Sequence, residues 1–246
     1  MKLSVVIPAY NEENYIGRCL QAVLREAAAC GYPVEVVVVD NASTDATAEV
    51  AGRFPGVRLV REPRKGLSRA RQKGYMESTG DIIANIDADT IMPRGYVRTL
   101  MRRFEKESRL ACLTGPFEYY DLSPLARVFT TFFYLSSFLP NIIGQYVLKI
   151  GAAAQGGNFS VRRTALDKIG GFDTSIDFYG EDTDVATRLS RVGNVRFSFR
   201  LAIKTSARRL RGEGVFRTGY YSILNIIFVL FYGKPLTKTH RDIRTG

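Results

Sequence analysis

The stretch DIIANIDAD (residues 81–89) is an apolar run that ends in two carboxylates, Asp87 and Asp89. Its β-branched composition predicts a buried strand that runs into an acidic turn. Two carboxylates one residue apart at a strand end can face the same crevice, and carboxylate oxygens are ligands that Mg²⁺ and Mn²⁺ prefer. The same pattern is also compatible with a plain surface turn, because aspartate favours turns. The rest of the chain decides between the two interpretations.

Apolar strands and amphipathic helices alternate on the N-terminal side of this stretch. Predicted strands are LSVVI (3–7), VEVVVVD (34–40) and VRLVRE (57–62), and predicted helices cover 16–27, a segment beginning at Ser43 or Thr44, and 66–79. This alternation predicts an α/β fold with right-handed βαβ units and an open, mostly parallel sheet flanked by helices. Ligands of such sheets bind beyond the carboxyl ends of the strands, where Asp40 and Asp87 both lie. A further helix is expected over 181–192.

Composition is that of a globular protein of 246 residues, with 46% hydrophobic and 24% charged residues. Disordered and fibrous classes are therefore excluded. Cys19, Cys30 and Cys112 lack metal-ligand spacing and sit in apolar stretches, which favours buried, reduced thiols and a cytoplasmic location. The chain enters its first strand directly after Lys2, so we expect no signal peptide.

The net charge of +11 calls for an anionic partner or surface. Basic residues flank a charge-free segment at 218–233, and a second charge-free segment covers 128–148. A basic–apolar–basic arrangement favours peripheral contact with an anionic membrane, at the inner face of the cell membrane. Ordinary packing of both segments against the core is the open alternative.

Several motifs follow one another in a fixed order: VVIPAYNEE (5–13), VVVDNASTD (37–45), RKGLSRARQKG (64–74), IDAD (86–89), GGFD (170–173) and GEDTDVATRL (180–189). Each is weak alone, but each falls on the predicted element. Together they make the chain resemble the family-two glycosyltransferases with the GT-A fold, over roughly residues 3–195.

The resemblance implies an inverting, non-processive glycosyltransferase that uses a nucleotide-diphosphate sugar, with UDP favoured over GDP, and a divalent metal, Mn²⁺ or Mg²⁺. The acceptor would be a hydroxyl or phosphate, on a lipid-linked molecule or glycolipid. Processive synthases carry a QxxRW motif, and this chain has no tryptophan. The implied catalytic domain spans 1–212, divided into a nucleotide-sugar half (1–115) and an acceptor half (116–212). An apolar helix and basic tail follow at 213–246.

The resemblance also implies roles for individual residues. Nucleotide-sugar contacts would come from Pro8, Ala9, Tyr10, Glu12, Asp40, Lys65, Arg69, Ala70, Arg71, Asp87 and Ala88. Asp89, with Asp87, would bind the metal that bridges the phosphates, and Asp182 would be the catalytic base, with Glu181 as its neighbour or alternate. Asn158, Arg208 and Arg209 would contact the acceptor. In the plainer interpretation, Glu181 and Asp182 are first-turn acids favoured by the helix dipole, and the arginines form a solvated face.

Other functions fit the sequence less well. Many GT-A enzymes use a late histidine as a metal ligand, but the single histidine here, His240, lies in the basic tail. We therefore expect phosphates and water to complete the metal shell. A nucleotidyltransferase would need a GxGTR-like loop where this chain has PAYNEE, and a dinucleotide oxidoreductase would need GxGxxG after its first strand. No nucleic-acid-binding pattern is present. A non-catalytic member of the same family, which binds nucleotide sugars or acts as a membrane scaffold, remains the alternative.

Overall fold

The computed structural model describes residues 1–123, 126–128, 130, 154–176, 180–214, 224 and 228. The predictions for the apolar segments at 128–148 and 218–233 and for the basic tail therefore fall almost wholly outside the described residues. Within the described residues, no helix is both long enough and apolar enough to cross a bilayer.

Four parallel strands form the N-terminal part of the sheet: β1 (Leu3–Ala9), β2 (Val34–Asp40), β3 (Val57–Arg61) and β4 (Ile82–Ile86). β1 and β2 pair over their full length, from Leu3 opposite Val34 to Ala9 opposite Asp40. The loops that follow these strands therefore begin at the same edge of the sheet.

The remaining strands are β5 (Leu110–Thr114), β6 (Phe117–Tyr119), β7 (Asn158–Arg162), β8 (Asn194–Phe197) and β9 (Ile203–Thr205). In the described part of the chain the main sheet has the order β3-β2-β1-β4-β7-β5-β8, and β6 pairs with β9 separately. β7 runs antiparallel to both of its neighbours. Its first residue, Asn158, pairs with Ile86, the last residue of β4. The start of β7 thus lies beside the acidic turn.

Helices cover both faces of the sheet. One face packs against α1 (Ile16–Ala29), α2 (Thr47–Gly52) and α4 (Tyr96–Lys106), and the other against α3 (Leu67–Glu77), α5 (Arg163–Lys168) and α6 (Glu181–Ser190). A short helix, α7 (Arg208–Glu213), follows β9. Strand β1 supplies both cores, because Val5 and Ile7 point to one face and Val6 to the other. The predicted fold class is confirmed.

The start of the second helix differs from the prediction for a local reason. The second helix begins at Thr47 rather than at Ser43 or Thr44, because Asp40 accepts the Ser43 N–H (3.1 Å) and Asp45 accepts the Thr47 N–H (2.9 Å). These side-chain bonds hold 43–46 as a loop. Strand β4 ends at Ile86 and runs into the predicted acidic turn, which the Thr90 N–H closes by donating to the Asp87 carbonyl (3.2 Å). The three cysteines are buried free thiols, as predicted.

Gly115 gives a test of this packing. A Cβ at this position would lie 2.2 Å from the carbonyl oxygen of Leu201, a backbone atom that cannot rotate away. Gly115→Ala should lower the free energy of unfolding by about 1–3 kcal/mol in urea titrations. Gly52→Ala is the matched control, because nothing lies within 4 Å of its added Cβ. Equal stability of the two variants would contradict this account of the packing.

Candidate functional site

The loops after β1 and β2 are bound to each other by side-chain hydrogen bonds. The Asn11 N–H donates to Ser43 Oγ (3.1 Å), and Asn11 Oδ1 accepts the Thr44 N–H (2.9 Å). Asn11 and Ala42 both have positive φ, of 52° and 63°, which is uncommon for residues other than glycine. Such conformations persist only where the surroundings fix them, and they concentrate at ligand-binding loops.

Asn41 connects these loops to the start of α3. Its side-chain amide donates to the carbonyls of Glu62 (3.1 Å) and Arg64 (2.8 Å), and its Oδ1 accepts the Gly66 N–H (2.8 Å). The side chain of Asn41 therefore fixes the segment that carries Lys65. No single-residue pattern in the sequence indicated this role.

The residues predicted to surround a nucleoside lie along this edge. Pro8, Ala9 and Glu12 are buried, Asp40 is 5% exposed, and Lys65 Nζ lies 3.7 Å from the centre of the Tyr10 ring. Tyr10 and Lys65 thus meet in a cation–π contact across the two loops. Ala88 belongs to the core that packs against α1 and α4, and Ala70 belongs to the core on the other face of the sheet. Arg69 is partly buried near Gly66.

The carboxylate of Asp89 is 13% exposed and bonded through both oxygens. Oδ1 accepts the Thr205 hydroxyl (3.2 Å), and Oδ2 lies 3.2 Å from Nη2 of Arg208. The Arg208 guanidinium also forms an ion pair with Glu12. The pKa of Asp89 is raised to about 7, mainly by burial; the Arg208 charge opposes this shift, and the charges of Asp87 and Glu12 add to it.

These carboxylates fit a divalent cation. The charges of Asp87 and Glu12 both act on Asp89, and the carboxylate oxygens of Asp87 and Asp89 are hard donors that suit Mg²⁺ or Mn²⁺. Among the described residues, no group of three or more histidine, cysteine, aspartate or glutamate side chains is arranged to hold a metal. A cation at Asp87 and Asp89 would therefore take its other ligands from donor phosphates and water.

The Gly156–Gly157 turn connects Asp87 to Asp182. The Gly157 carbonyl accepts the Asp87 N–H (3.2 Å), and the Gly156 N–H donates to Asp182 Oδ2 (2.9 Å). Gly157 has φ +78°, and a Cβ there would lie 1.9 Å from Asp87 Oδ2. Both the backbone conformation and the close approach require glycine. The two predicted carboxylate pairs are thus adjacent to one turn.

Arg71 is a buried cation that lies between the two pairs of carboxylates. It is 1% exposed, donates from Nη1 to Glu181 Oε1 (2.9 Å), and has Nη2 3.7 Å from Asp87 Oδ1. Arg71 was predicted to face the nucleotide; the structure shows its guanidinium between Asp87 and Glu181, stacked over the Phe159 ring at 5.1 Å. Arg71 therefore joins the pair of Asp87 and Asp89 to the pair of Glu181 and Asp182. The sequence did not indicate this bridging role.

Glu181 and Asp182 begin α6 but differ in their partners. Burial raises the pKa of Glu181 to about 8, with the Asp182 charge adding to the shift and Arg71 opposing it. Burial also raises the pKa of Asp182, whose oxygens accept the N–H groups of Gly156 and Thr183 (2.7 Å). Asp182 is thus held by backbone N–H groups, whereas Glu181 is held by the Arg71 guanidinium.

The Asn158 side chain is occupied by protein groups. It is fully buried, its Oδ1 accepts the Tyr96 hydroxyl (2.6 Å), and its Nδ2 donates to the carbonyls of Pro116 (3.2 Å) and Leu201 (2.9 Å). This differs from the predicted acceptor contact, because no part of the amide is directed at a ligand. Its bonds position the turn at 155–157 instead. Arg209, the neighbour of Arg208 in α7, is partly buried.

Glu181 gives a pH-dependent prediction. Its pKa is raised from 4.5 to about 8 in the folded protein, so the folded state binds more protons than the unfolded state between these values. Stability should therefore be highest near pH 5 and fall as pH rises to 8, by up to about 1.4 kcal/mol per unit. In urea unfolding at several pH values, Glu181→Gln should flatten this slope, whereas Glu118→Gln at an exposed position should not. A slope unaffected by Glu181→Gln would contradict the prediction.

Solved structures share this architecture. S. aureus TarS (residues 1–349), in complex with UDP-GlcNAc, superposes with a TM-score of 0.68 at 18% identity, over 97% of this chain and 68% of that one. The mannosyltransferase PcManGT from Pyrobaculum calidifontis, in complex with GDP-Man and Mn²⁺, gives 0.65 at 21% identity, over 93% and 69%. At these identities the likeness establishes the GT-A fold.

Sequence comparison identifies the family. The probable glycosyltransferase YdaM of Bacillus subtilis (strain 168) is 29% identical over 215 residues, which are 80% of this chain and 48% of that protein. The chain thus spans about half the length of this relative. The profile of the family described as "Glycosyl transferase family 2" matches residues 4–170, from the first strand to beyond β7. The chain belongs to glycosyl transferase family 2.

Proposed function

We propose that the chain transfers a sugar from a nucleotide-diphosphate sugar to an acceptor hydroxyl or phosphate, with inversion at the anomeric carbon. The observation that carries this proposal is the Gly156–Gly157 turn, which contacts Asp87 on one side and Asp182 on the other. It brings carboxylates suited to a metal–diphosphate complex next to a carboxylate suited to accept a proton. Membership of the family supports the same activity.

Donor binding would use the edge formed by the loops after β1, β2 and β4. The pair of Tyr10 and Lys65 offers an aromatic face and a cation to the nucleoside and its phosphates, and Asp40 offers a buried acceptor for the base. A divalent cation held by Asp89 and Asp87 would stabilise negative charge on the leaving diphosphate. The bound molecules of TarS and PcManGT, UDP-GlcNAc in one and GDP-Man with Mn²⁺ in the other, support a nucleotide-sugar donor. UDP is our favoured donor nucleotide.

Asp182 would act as the base. As the acceptor oxygen forms its bond to the anomeric carbon, its proton moves to Asp182, and the electron pair of the breaking sugar–phosphate bond stays with the diphosphate. Attack from the side opposite the leaving group inverts the configuration. Hydrogen bonds from Gly156 and Thr183 orient the Asp182 carboxylate, and Glu181 is retained beside it by Arg71.

Calorimetric titration with UDP and GDP, with Mn²⁺ and then with excess chelator, tests the donor site. Metal-dependent binding of one nucleotide is expected in the wild-type protein, and Asp89→Ala should reduce it by roughly 100-fold or more because a metal ligand is lost. Asp81→Ala is the control, since Asp81 lies at the opposite end of β4. If the folded protein bound neither nucleotide with or without metal, the alternative of a non-catalytic scaffolding member would take first place.

Asp182→Asn separates binding from chemistry. The amide cannot accept the acceptor proton, so nucleotide binding should persist while transfer falls by about 100-fold or more. Release of the free nucleotide diphosphate in the presence of acceptor sugars measures transfer. Turnover of this variant at the wild-type rate would contradict the assignment of the base.

We also propose that the enzyme works at an anionic membrane surface, on a lipid-linked or glycolipid acceptor at the cytoplasmic face. Besides the basic and apolar tail, exposed cations support this proposal: Arg98, Arg102 and Lys106, spaced by four residues along α4, and Arg94, which lies just before the helix. Like charges at this spacing repel one another by a few tenths of a kcal/mol per pair. Within the described part of the chain none of the four forms an ion pair, so an external anion would relieve the repulsion.

Sedimentation with vesicles tests this surface. Arg98→Glu/Arg102→Glu should weaken binding to vesicles of phosphatidylcholine with phosphatidylglycerol by roughly tenfold or more, because each basic residue near such a surface contributes about 1 kcal/mol. Arg191→Glu/Lys168→Glu is the control with the same change of charge at exposed positions of other elements. Deletion of 213–246 should also release the protein. Equal partitioning of all these proteins would refute a membrane-surface role.

A further inference from the structure

The Arg208 side chain lies between two acidic residues of the proposed donor site, Glu12 and Asp89. It is 19% exposed, pairs with Glu12, has Nη2 3.2 Å from Asp89 Oδ2, and lies over the Tyr15 ring at 4.5 Å from its centre. Glu12 follows β1 and Asp89 follows β4, whereas Arg208 is the first residue of α7. One guanidinium thus joins the C-terminal side of the described chain to two strand ends of the donor site.

Asp121 holds the segment of backbone that carries Arg208. Its carboxylate accepts the Ala207 N–H (2.6 Å), the Ser206 hydroxyl (2.9 Å) and an N–H of Arg211 (2.5 Å). Three donors of one short segment therefore converge on a single carboxylate, which places the start of α7, and with it Arg208, beside the acidic turn. The close pairing of Arg208 is a built contact and not a chance position of a long side chain.

Arg208 and a metal ion would compete for the same atom. Within the described residues, Arg208 is the cation that contacts Asp89, and it does so at the oxygen left over by Thr205. A divalent cation bound to Asp89 would bring two positive charges next to the guanidinium. Repulsion between charges at such separations amounts to several kcal/mol at the effective dielectric of a protein surface. Each of the two cations therefore lowers the affinity of the Asp89 carboxylate for the other.

We propose that Arg208 is a resident counter-cation of the metal site, which must leave Asp89 before a divalent cation binds. Metal loading then releases α7 from the acidic turn, and Arg208 weakens the affinity for metal alone. The proposal rests on the proposed function in one respect, that Asp89 is the metal ligand. It adds that the position of α7 reports whether the metal is present.

Mn²⁺ binding to the full chain without nucleotide tests the proposal, with free Mn²⁺ measured by electron paramagnetic resonance. Arg208→Gln should bind Mn²⁺ roughly tenfold more tightly than the wild type, because the competing charge is gone. Arg208→Lys keeps the charge but cannot bridge two carboxylates, so its affinity should be intermediate. Arg191→Gln, an exposed charge-matched control, should bind as the wild type does. Asp89→Asn should abolish tight binding in either background.

A second readout follows α7 directly. In the wild type, Mn²⁺ should speed amide hydrogen exchange in peptides that cover 207–212, and Arg208→Gln should show fast exchange there before Mn²⁺ is added. This measurement needs no comparison of affinities and also serves if Arg208→Gln is poorly stable, since the wild-type response alone is informative.

The outcomes separate the two proposals. If the wild type and Arg208→Gln bound Mn²⁺ with equal affinity, Arg208 would not compete with the metal. If Asp89→Asn abolished binding in both backgrounds, the assignment of the metal site would still stand. Weaker binding by Arg208→Gln, or slower exchange of 207–212 with Mn²⁺, would also overturn the competition, because Arg208 would then support the metal. Absence of Mn²⁺ binding in all variants without nucleotide would overturn this proposal, whereas the metal-dependent titrations with UDP and GDP decide separately whether the metal site exists.

Discussion

The approach of the Gly156–Gly157 backbone to Asp87 and Asp182 is the constraint on which the site depends. The turn accepts a hydrogen bond from Asp87 and donates one to Asp182, and at Gly157 a side chain would overlap the Asp87 carboxylate. The antiparallel strand β7 places this turn beside the end of β4, and Asn158 fixes it with three side-chain bonds. Backbone geometry, rather than a direct contact of side chains, brings the two acidic pairs together.

Charge balance is the second organising feature. Five carboxylates, those of Glu12, Asp87, Asp89, Glu181 and Asp182, face two buried or partly buried arginines, Arg71 and Arg208. Burial raises the pKa values of Asp89, Glu181 and Asp182, because it disfavours the charged form of each carboxyl group. Perturbed groups of this kind concentrate where an enzyme binds cations or moves protons. The two arginines differ in their surroundings, since Arg71 is fully buried whereas Arg208 is partly exposed at the start of the short helix α7.

Much of this was predictable from local pattern. The strands before Asp40 and Asp87 are continuous apolar runs, and the order of the motifs around Asp89 and Glu181 identified the family. Contacts between distant segments were not predictable. The Asn158 amide is a protein-bonded positioning group because Tyr96, Pro116 and Leu201 converge on it, and no spacing in the sequence encodes that convergence. Likewise, Asp40 and Asp45 outcompete the backbone for N–H groups and delay the second helix.

The pair of Arg71 and Glu181 spans 110 residues of sequence. During synthesis the strands up to β4 leave the ribosome long before Glu181 does, and Arg71 already belongs to the helix that packs against them. Until β7 and α6 have been made, the Arg71 guanidinium lacks both the Phe159 ring and the Glu181 carboxylate that enclose it in the finished fold. The two acidic pairs can therefore be joined through Arg71 only late in synthesis, after the four parallel strands are complete.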